Sequence, residues 1–189
     1  MAEASDEELM LAYAGGDQAA FRALFMRYAP QLVRVLRRQV GREADAQDLA
    51  QQTFLQLHRA RRDFRPGTRL RPWVITIALN LARDLLRRRG RRPEAAFDDR
   101  VPEPSVEPNV PDGESAETAA RVRRALADLP REQREVIELH WFEQLSFAEI
   151  AGVVGSTSGA VRVRAHRGYV TLRKTLGSVD GMPTEEGTS

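Results

Sequence analysis

The sequence predicts an all-α protein made of two small helical domains. Apolar residues recur every three or four positions over residues 5–92 and again over 116–176, as on amphipathic helices. Residues 93–115 carry no such period and are rich in proline and acidic side chains, which predicts a flexible linker. The expected organisation is a first domain at 1–92, a linker at 93–115, a second domain at 116–176 and a disordered tail at 177–189.

Composition excludes several classes of protein. The hydrophobic fraction of 42% is sufficient for packed cores, yet no apolar run is long enough to cross a membrane. The N-terminus, MAEASDEELM, is acidic and unlike a signal peptide, so we expect a cytoplasmic protein without membrane insertion. The chain has no cysteine, and neither His58 nor His140 has a matching ligand set. We therefore expect no metal site and no cofactor.

The net charge of +2 conceals two blocks of opposite sign. Twelve arginines and two acidic residues lie between Arg59 and Arg92, whereas eight acidic residues and one arginine lie between Pro93 and Glu117. Such blocks indicate separate roles, and a basic block suits contact with phosphate.

A helix-turn-helix pattern occupies Leu145–Leu176. Ser146 and Glu149 form a capping-box pair at the start of the first helix, and Gly155 permits a sharp turn after it. Ser156 or Thr157 can cap the second helix. A poor helix former inside that helix, Gly168, indicates close packing.

The second helix divides into a core face and an outward face. A helical wheel directs five residues to the core: Val161, Ala165, Tyr169, Leu172 and Leu176. The outward face comprises Val163, His166, Arg167, Val170 and Lys174, with Arg162 and Arg164 on its flanks. A helix with this outward face fits the major groove of DNA.

Within the first domain, the ends of two helices are marked in the sequence. Asp17 can cap the first, Pro30 should bend or interrupt it, and Gly41 should end it. Asp45 is expected to open the next helix. The apolar stripe of the first comprises Leu24, Phe25, Tyr28, Leu32, Val35 and Leu36.

The segment DAQDLAQQTFLQLHRA has one apolar and one polar face. Its core face is expected to contain Ala46, Leu49, Ala50, Thr53, Phe54 and Leu57. The outer face contains Asp48, Gln51, Gln52 and Leu55. An exposed leucine among polar residues fits either an ordinary solvated face or a contact for a partner helix.

The segment RPWVITIALNLARDLLRRR predicts a helix that is buried over most of its circumference and starts near Pro72. Trp73 lies at the edge of a narrow polar strip, which suits the stacking and hydrogen bonding of unstacked bases. The alternative is a solvated basic helix end with a core tryptophan. The preceding loop, with Phe64 and Arg65, could line a pocket for a flipped base. The strip comprises Thr76, Asn80, Arg83 and Arg87, and further arginines suited to phosphate follow at Arg88, Arg89, Arg91 and Arg92.

Four segments carry a resemblance to a known family: GDQAAFRALFMRYAPQL, DAQDLAQQTFLQLHRA, RPWVITIALNLARDLLRRR and LADLPREQREVIELHWFEQLSFAEIAGVVGSTSGAVRVRAHRGYVTLR. In this order and spacing they resemble the bacterial RNA polymerase sigma factors of the extracytoplasmic-function (ECF) group of the sigma-70 family. The resemblance covers roughly residues 6–176. It departs from the family at Val163, where a polar residue is common and valine can instead pack on a thymine methyl.

The resemblance implies a function and partners. The chain would be an alternative sigma factor that binds core RNA polymerase, at the clamp helices of the largest subunit and the flap region, and directs promoter-specific initiation. A possible further partner is an anti-sigma factor. The implied polymerase contacts are Asp48, Gln51, Gln52 and Leu55; the implied −10 contacts are Phe64, Arg65, Trp73, Thr76, Asn80, Arg83 and Arg87; the implied −35 contacts are Ser158, Arg162, Val163, Arg164, His166 and Arg167.

Two other interpretations stay open from the residues alone. The segment Leu145–Leu176 would also fit a stand-alone regulator of the LuxR type, which leaves the arginine-rich helix of the first domain without a role. The second interpretation is a nucleic-acid enzyme or a helical interaction protein. The sequence offers no nucleophile–base set and no paired carboxylates poised for metal, so we expect no enzyme.

Overall fold

The computed structural model describes residues 4–90 and 114–177 and confirms the all-α prediction. These residues form eight α-helices, one 3-10 helix and no strand. Most of the predicted linker, the predicted tail beyond residue 177, and Arg91 and Arg92 lie outside the described residues. The helices are α1 (Asp6–Ala14), α2 (Gln18–Val40), α3 (Glu43–Ala60), α4 (Leu70–Gly90), α5 (Glu114–Ala127), α6 (Arg131–Trp141), α7 (Phe147–Val154) and α8 (Ser158–Leu176), with the 3-10 helix at Arg61–Asp63.

The helices form two compact units: unit 1 contains α1–α4, and unit 2 contains α5, α6, α8 and the larger part of α7. Helix α5 begins at Glu114, so the last two residues of the predicted linker are helical. None of the described helices is long and apolar enough to span a membrane.

Unit 1 surrounds one apolar core to which all four helices contribute. The Asp17 carboxylate caps α2, since Oδ1 accepts from the N–H groups of Ala19 at 2.7 Å and Ala20 at 3.2 Å. Gly41 ends the helix with a left-handed φ of 80°. Both predicted ends of α2 are thereby confirmed.

Three details of α2 and α3 differ from the predictions. Of the two effects predicted for Pro30, a bend or an interruption, the interruption does not occur, because Tyr28 and Leu32 on either side are buried in the same core and their packing offsets one missing hydrogen bond. Helix α3 begins at Glu43, two residues before Asp45. The Asp45 carboxylate instead binds Arg89 near the end of α4, with Oδ1 2.8 Å from Nη2.

Phe25 is the third detail. Its side chain is 41% exposed, although it was expected in the apolar stripe. The ring contacts Phe54 of α3 with centroids 4.7 Å apart, so it covers the edge of the core and leaves one face in solvent.

The two faces of α3 lie as predicted. All six residues of the expected core face are buried, and the four of the outer face are exposed. Thr53, fully buried, satisfies its hydroxyl by donating to the Leu49 carbonyl at 2.8 Å.

Unit 2 contains the predicted helix-turn-helix. Ser146 Oγ accepts from the Glu149 N–H at 3.2 Å and the Glu149 carboxylate accepts from the Ser146 N–H at 2.8 Å, which completes the capping box of α7. Gly155 adopts a φ of 66° at the turn. Of the two candidate caps for α8, Thr157 takes the role, with Oγ1 accepting from the Ala160 N–H at 3.2 Å.

Helix α8 crosses α6 at Gly168, which is buried as predicted. A Cβ at this position would lie 2.5 Å from Ile137 Cδ1 and 3.4 Å from Gln133 Cβ. Ile137 is itself 3% exposed, so its terminal methyl has little room to move. The close approach of the two helices therefore depends on the missing side chain.

We predict a strong coupling between Gly168 and Ile137. Gly168→Ala raises helix propensity by about 1 kcal/mol but overpacks the crossing by about 1–3 kcal/mol. Ile137→Val removes the clashing Cδ1, so the alanine should be better tolerated in that background by at least about 1 kcal/mol. A double-mutant cycle of urea unfolding measures this, and additive free energies of unfolding would contradict the crossing geometry.

Candidate nucleic-acid interface

The N-terminal half of α8 presents a continuous outward surface. Arg162, His166 and Arg167 are exposed, and Val163 is 50% exposed although it is apolar. Val161 and Ala165 on the other side are buried, which fixes the rotation of the helix. The side chains that face outward are those that a groove-reading helix uses: guanidinium donors, an imidazole and an apolar contact for a thymine methyl.

Arg164 is held differently from its neighbours. Its side chain is 32% exposed, and its Nε lies 3.1 Å from Glu132 Oε2 in the first turn of α6. The prediction that Arg164 faces outward on the flank of α8 is therefore only partly met, because a carboxylate of the same unit already neutralises its charge. Ser158, in the first turn of α8, is half-buried.

In unit 1, α4 presents the predicted polar strip. Six of its residues are buried, and the strip lies on the remaining side. Asn80 and Arg87 are exposed, whereas Trp73, Thr76 and Arg83 are half-buried. The six buried residues are Leu70, Val74, Ile75, Ala78, Leu79 and Ala82.

The residues of the strip bond to one another and to the helix. Thr76 Oγ1 donates to the Pro72 carbonyl at 2.7 Å, and Arg83 Nη1 donates to Asn80 Oδ1 at 3.2 Å. Arg87 forms an ion pair with Asp84 one turn earlier. The bond from Arg83 uses one lone pair of Asn80 Oδ1, so the amide keeps its two Nδ2 donors and a second acceptor position for the edge of a base.

Phe64 lies in the core, which corrects its expected place in an open pocket. Its side chain is 6% exposed, and its ring contacts Trp73 with centroids 5.5 Å apart. Phe64 belongs to the same core cluster as Leu70, with Trp73 packed against that cluster, an arrangement that the loop sequence alone does not indicate. Phe64 therefore packs against Trp73 and is nearly closed to solvent.

The loop before α4 contains a tight turn. The Thr68 N–H donates to the Arg65 carbonyl at 3.1 Å across Pro66 and Gly67, and Gly67 has a φ of 85°. Proline followed by a residue with positive φ is the pattern of a type II turn. The turn leaves Arg65 and Arg69 exposed beside the start of α4.

The outer face of α3 is a third surface. Asp48, Gln51 and Gln52 are exposed, and Leu55 is 57% exposed. Sequence reasoning missed the exposure of Phe25 because its spacing fits the core stripe. No group of histidine, aspartate or glutamate side chains in the described residues could hold a metal ion.

Helix-turn-helix geometry and an outward arginine face define unit 2 as a DNA-binding unit, and unit 1 adds a second basic surface. Family models agree with this division: Sigma-70 region 2 matches residues 24–92 and Sigma-70 region 4 matches residues 119–172. The chain belongs to the sigma-70 family of RNA polymerase sigma factors and, within it, to the ECF group.

Similar proteins cover nearly the whole chain. It is 41% identical to the RNA polymerase sigma factor CarQ of Myxococcus xanthus, over 87% of this chain and 94% of that protein. It is 38% identical to the ECF sigma factor SigE of Mycolicibacterium smegmatis, over 92% of this chain and 70% of that protein. Among solved structures, CnrH in complex with the cytosolic domain of CnrY matches with a TM-score of 0.66 and 30% identity, over 90% of this chain and 96% of CnrH.

We predict that Glu132→Gln strengthens binding to duplex DNA, because it frees Arg164 for a phosphate. The gain should be about 1.5- to 5-fold, the size of a surface ion pair, and log Kd should depend on log salt more steeply by about 0.9. The measurement is holoenzyme binding to an upstream promoter duplex over a potassium chloride series.

The control for this variant is Glu117→Gln, which removes the same charge from an exposed position on α5. Equal gains from the two variants would mean that net charge alone is responsible and that the Glu132–Arg164 pair has no specific effect.

Proposed function

We propose that this chain is an alternative sigma factor that binds core RNA polymerase and directs it to promoters through two separate DNA contacts. Unit 2 reads the −35 element as duplex, and unit 1 captures the opened −10 element. The observation that carries the proposal is the pairing of an outward arginine-bearing α8 with an exposed polar strip on α4, on the two units that match regions 4 and 2. The chain acts as an initiation factor, and the polymerase makes the phosphodiester bonds.

Readout of the −35 element falls to the first three turns of α8. Arg162 and Arg167 are suited to the O6 and N7 acceptors of guanine, and Val163 to a thymine methyl. His166 donates to a base or a phosphate. Ser158 lies at the helix N-terminus, where backbone N–H groups and the helix dipole favour a phosphate. Arg164 would add a contact at the cost of its bond to Glu132.

Capture of the −10 element falls to the α4 strip and the turn before it. Trp73 offers a ring for a base to stack on, while Thr76 and Asn80 offer edge hydrogen bonds. Arg65, Arg83 and Arg87 are suited to the phosphates on either side. Phe64 contributes by supporting Trp73. Binding the unstacked base favours the open state and so shifts the melting equilibrium towards it.

Docking on the polymerase falls to the outer face of α3. Asp48, Gln51 and Gln52 lie on the same face of α3 as the exposed Leu55, so an apolar contact is bordered by polar side chains, as in protein interfaces. The partner surface would be the clamp helices of the largest subunit, with unit 2 meeting the flap region.

Two weak contacts become strong when both units are held on one polymerase. The predicted linker at 93–115 joins them covalently, so the second contact is intramolecular and gains effective concentration. A further partner, an anti-sigma factor, would block these surfaces. The place of action is the cytoplasm, on the nucleoid through polymerase.

A stand-alone LuxR-like regulator is disfavoured. It would use unit 2 alone and leave the α4 strip and the region 2 match at residues 24–92 without a role. It would also bind an operator tightly without polymerase.

Run-off transcription tests the proposal directly. The purified chain is combined with core polymerase and fragmented genomic DNA, and transcript starts are mapped. Discrete starts that share two upstream motifs at a fixed spacing are expected. The absence of initiation, together with tight operator binding by the chain alone, would replace the proposal with the stand-alone regulator.

We predict that Arg162→Glu combined with Arg167→Glu abolishes promoter-specific initiation while polymerase affinity is kept. Loss of two base contacts should lower promoter affinity at least about 30-fold. Arg131→Glu with Arg173→Glu is the matched control, because both arginines are exposed on unit 2 outside the first three turns of α8. Loss of polymerase binding by the first pair would contradict the assigned role.

We predict that Leu55→Asp weakens the complex with core polymerase about 10- to 100-fold, since it places a charge at an apolar contact. Gln56→Asp adds the same charge one residue further along α3, about 100° around the helix. Titration of labelled chain with core polymerase measures both affinities. Equal affinities for the two variants would remove this face from the interface.

A further inference from the structure

Helix α1 reaches a part of unit 1 that is distant in sequence, the start of α4. It lies at Asp6–Ala14, before the segment 24–92 that matches region 2. Its Met10 and Tyr13 are buried in the common core. The opposite end of α1 carries three consecutive acidic residues, Asp6, Glu7 and Glu8, and each has a different partner.

Two of these acids hold α1 in place. Glu8 completes a capping box with Ser5, whose hydrogen bonds lower the pKa of the Glu8 carboxyl. Asp6 binds α2: its Oδ1 lies 2.8 Å from Arg27 Nη1, and its Oδ2 accepts from the Tyr28 hydroxyl at 2.5 Å. The first turn of α1 is therefore ordered locally and anchored on α2.

The contact between Asp6 and Tyr28 extends to α4. Burial raises the pKa of the Tyr28 phenol, the bond to Asp6 raises it further, and the Arg71 guanidinium opposes both. Arg71 is the second residue of α4, so the start of that helix lies within electrostatic reach of the Tyr28 hydroxyl to which Asp6 is bound.

Glu7, the third acid, bonds to the backbone of α4. Its Oε1 accepts from the Leu70 N–H at 3.0 Å and lies 3.7 Å from Arg69 Nε. Leu70 is the first residue of α4 and is completely buried. The residue in the N-cap position, Arg69, has no side-chain acceptor to offer, and Pro72 has no N–H. The Glu7 carboxylate, which belongs to another helix, therefore accepts a hydrogen bond from the first turn of α4, as the side chain of a capping residue would.

We propose that Glu7 is a positioning residue for promoter opening, because it fixes the first turn of α4 and with it the base-capturing strip. The inference rests on the proposed role of α4 at the −10 element. Trp73 follows Leu70 by three residues, and Arg65–Thr68 precedes it, so fraying of this turn would separate the loop from the strip. Capture of an unstacked base requires both at fixed positions.

The test compares Glu7→Ala with Glu7→Gln in the full chain bound to core polymerase. The opening rate is followed with a fluorescent adenine analogue in the −10 element of a duplex promoter, and polymerase affinity is titrated separately. Glu7→Ala should slow opening about fivefold, the ratio that corresponds to one lost helix cap. Glu7→Gln keeps an acceptor oxygen and should stay within about twofold of the parent. Polymerase affinity should not change.

Two controls separate positioning from loss of stability. Asp17→Ala removes the cap of α2 in the same unit, so it should lower the free energy of unfolding similarly and leave the opening rate unchanged. Arg69→Gln removes the charge beside Glu7 but keeps the bond to Leu70, and its free energy of unfolding should equal that of the parent. All variants are compared at a temperature at which their unfolding curves show them folded.

Specific outcomes overturn the inference. Equal slowing by Glu7→Ala and Asp17→Ala would make the effect one of stability, and an unchanged rate for Glu7→Ala would remove the positioning role. Asn80→Ala tells the inference and the proposed function apart. If Asn80→Ala slows opening and Glu7→Ala does not, only the inference fails; if neither does, the proposed role of α4 fails with it.

Discussion

The burial of α4 is the constraint on which the rest of unit 1 depends. When a helix is packed on most of its circumference, only one rotation about its axis leaves its polar side chains in contact with water. Val74, Ala78 and Ala82 fix that rotation, each at most 1% exposed. Because the alanine side chains are small, neighbouring helices can pack closely against α4. The polar strip that remains is one residue wide, and the packing of the core determines the direction in which it faces. Rigid packing, and not a flexible loop, sets where Asn80 points.

Unit 2 solves a similar problem with a different device. Helix α8 must present its N-terminal half outward while its middle crosses α6 closely. Gly168 permits the approach, and Val161 and Ala165 complete the buried side. As a result, the side chains of residues 162, 163, 166 and 167 are all exposed on the same side of α8. In both units the functional side chains lie on helices whose rotation is fixed by buried residues on the opposite side.

Periodicity and local chemistry allowed much of this to be predicted from the sequence. The two faces of α3, the caps at Asp17 and Ser146 and the turn at Gly155 follow from spacing and residue type within one element. Helical wheels also identified the α4 strip. These features depend on residues a few positions apart, where the chain itself brings them together.

The contacts that were missed join residues far apart in sequence. Glu7 meets Leu70 across 63 positions, Arg89 meets Asp45 across 44, and Arg164 pairs with Glu132 on another helix. A wheel treats each helix alone and cannot assign such partners. The burial of Phe64 was missed for the same reason, since it depends on Trp73 and on core residues from other helices.

The placement of α1 also bears on what constitutes a folding module in this protein. A segment beginning at residue 24 would contain the whole region 2 match, yet it would lack the buried residues Met10 and Tyr13. Burial of the Met10 side chain alone stabilises the fold by about 1.5–3 kcal/mol. It would also leave the Leu70 N–H buried without its carboxylate acceptor and the Tyr28 hydroxyl without Asp6. The cooperative unit is thus larger than the segment by which the family is recognised. The family match marks where the recognition surface lies, whereas the unit that folds by itself begins some twenty residues earlier, at α1, which completes the core.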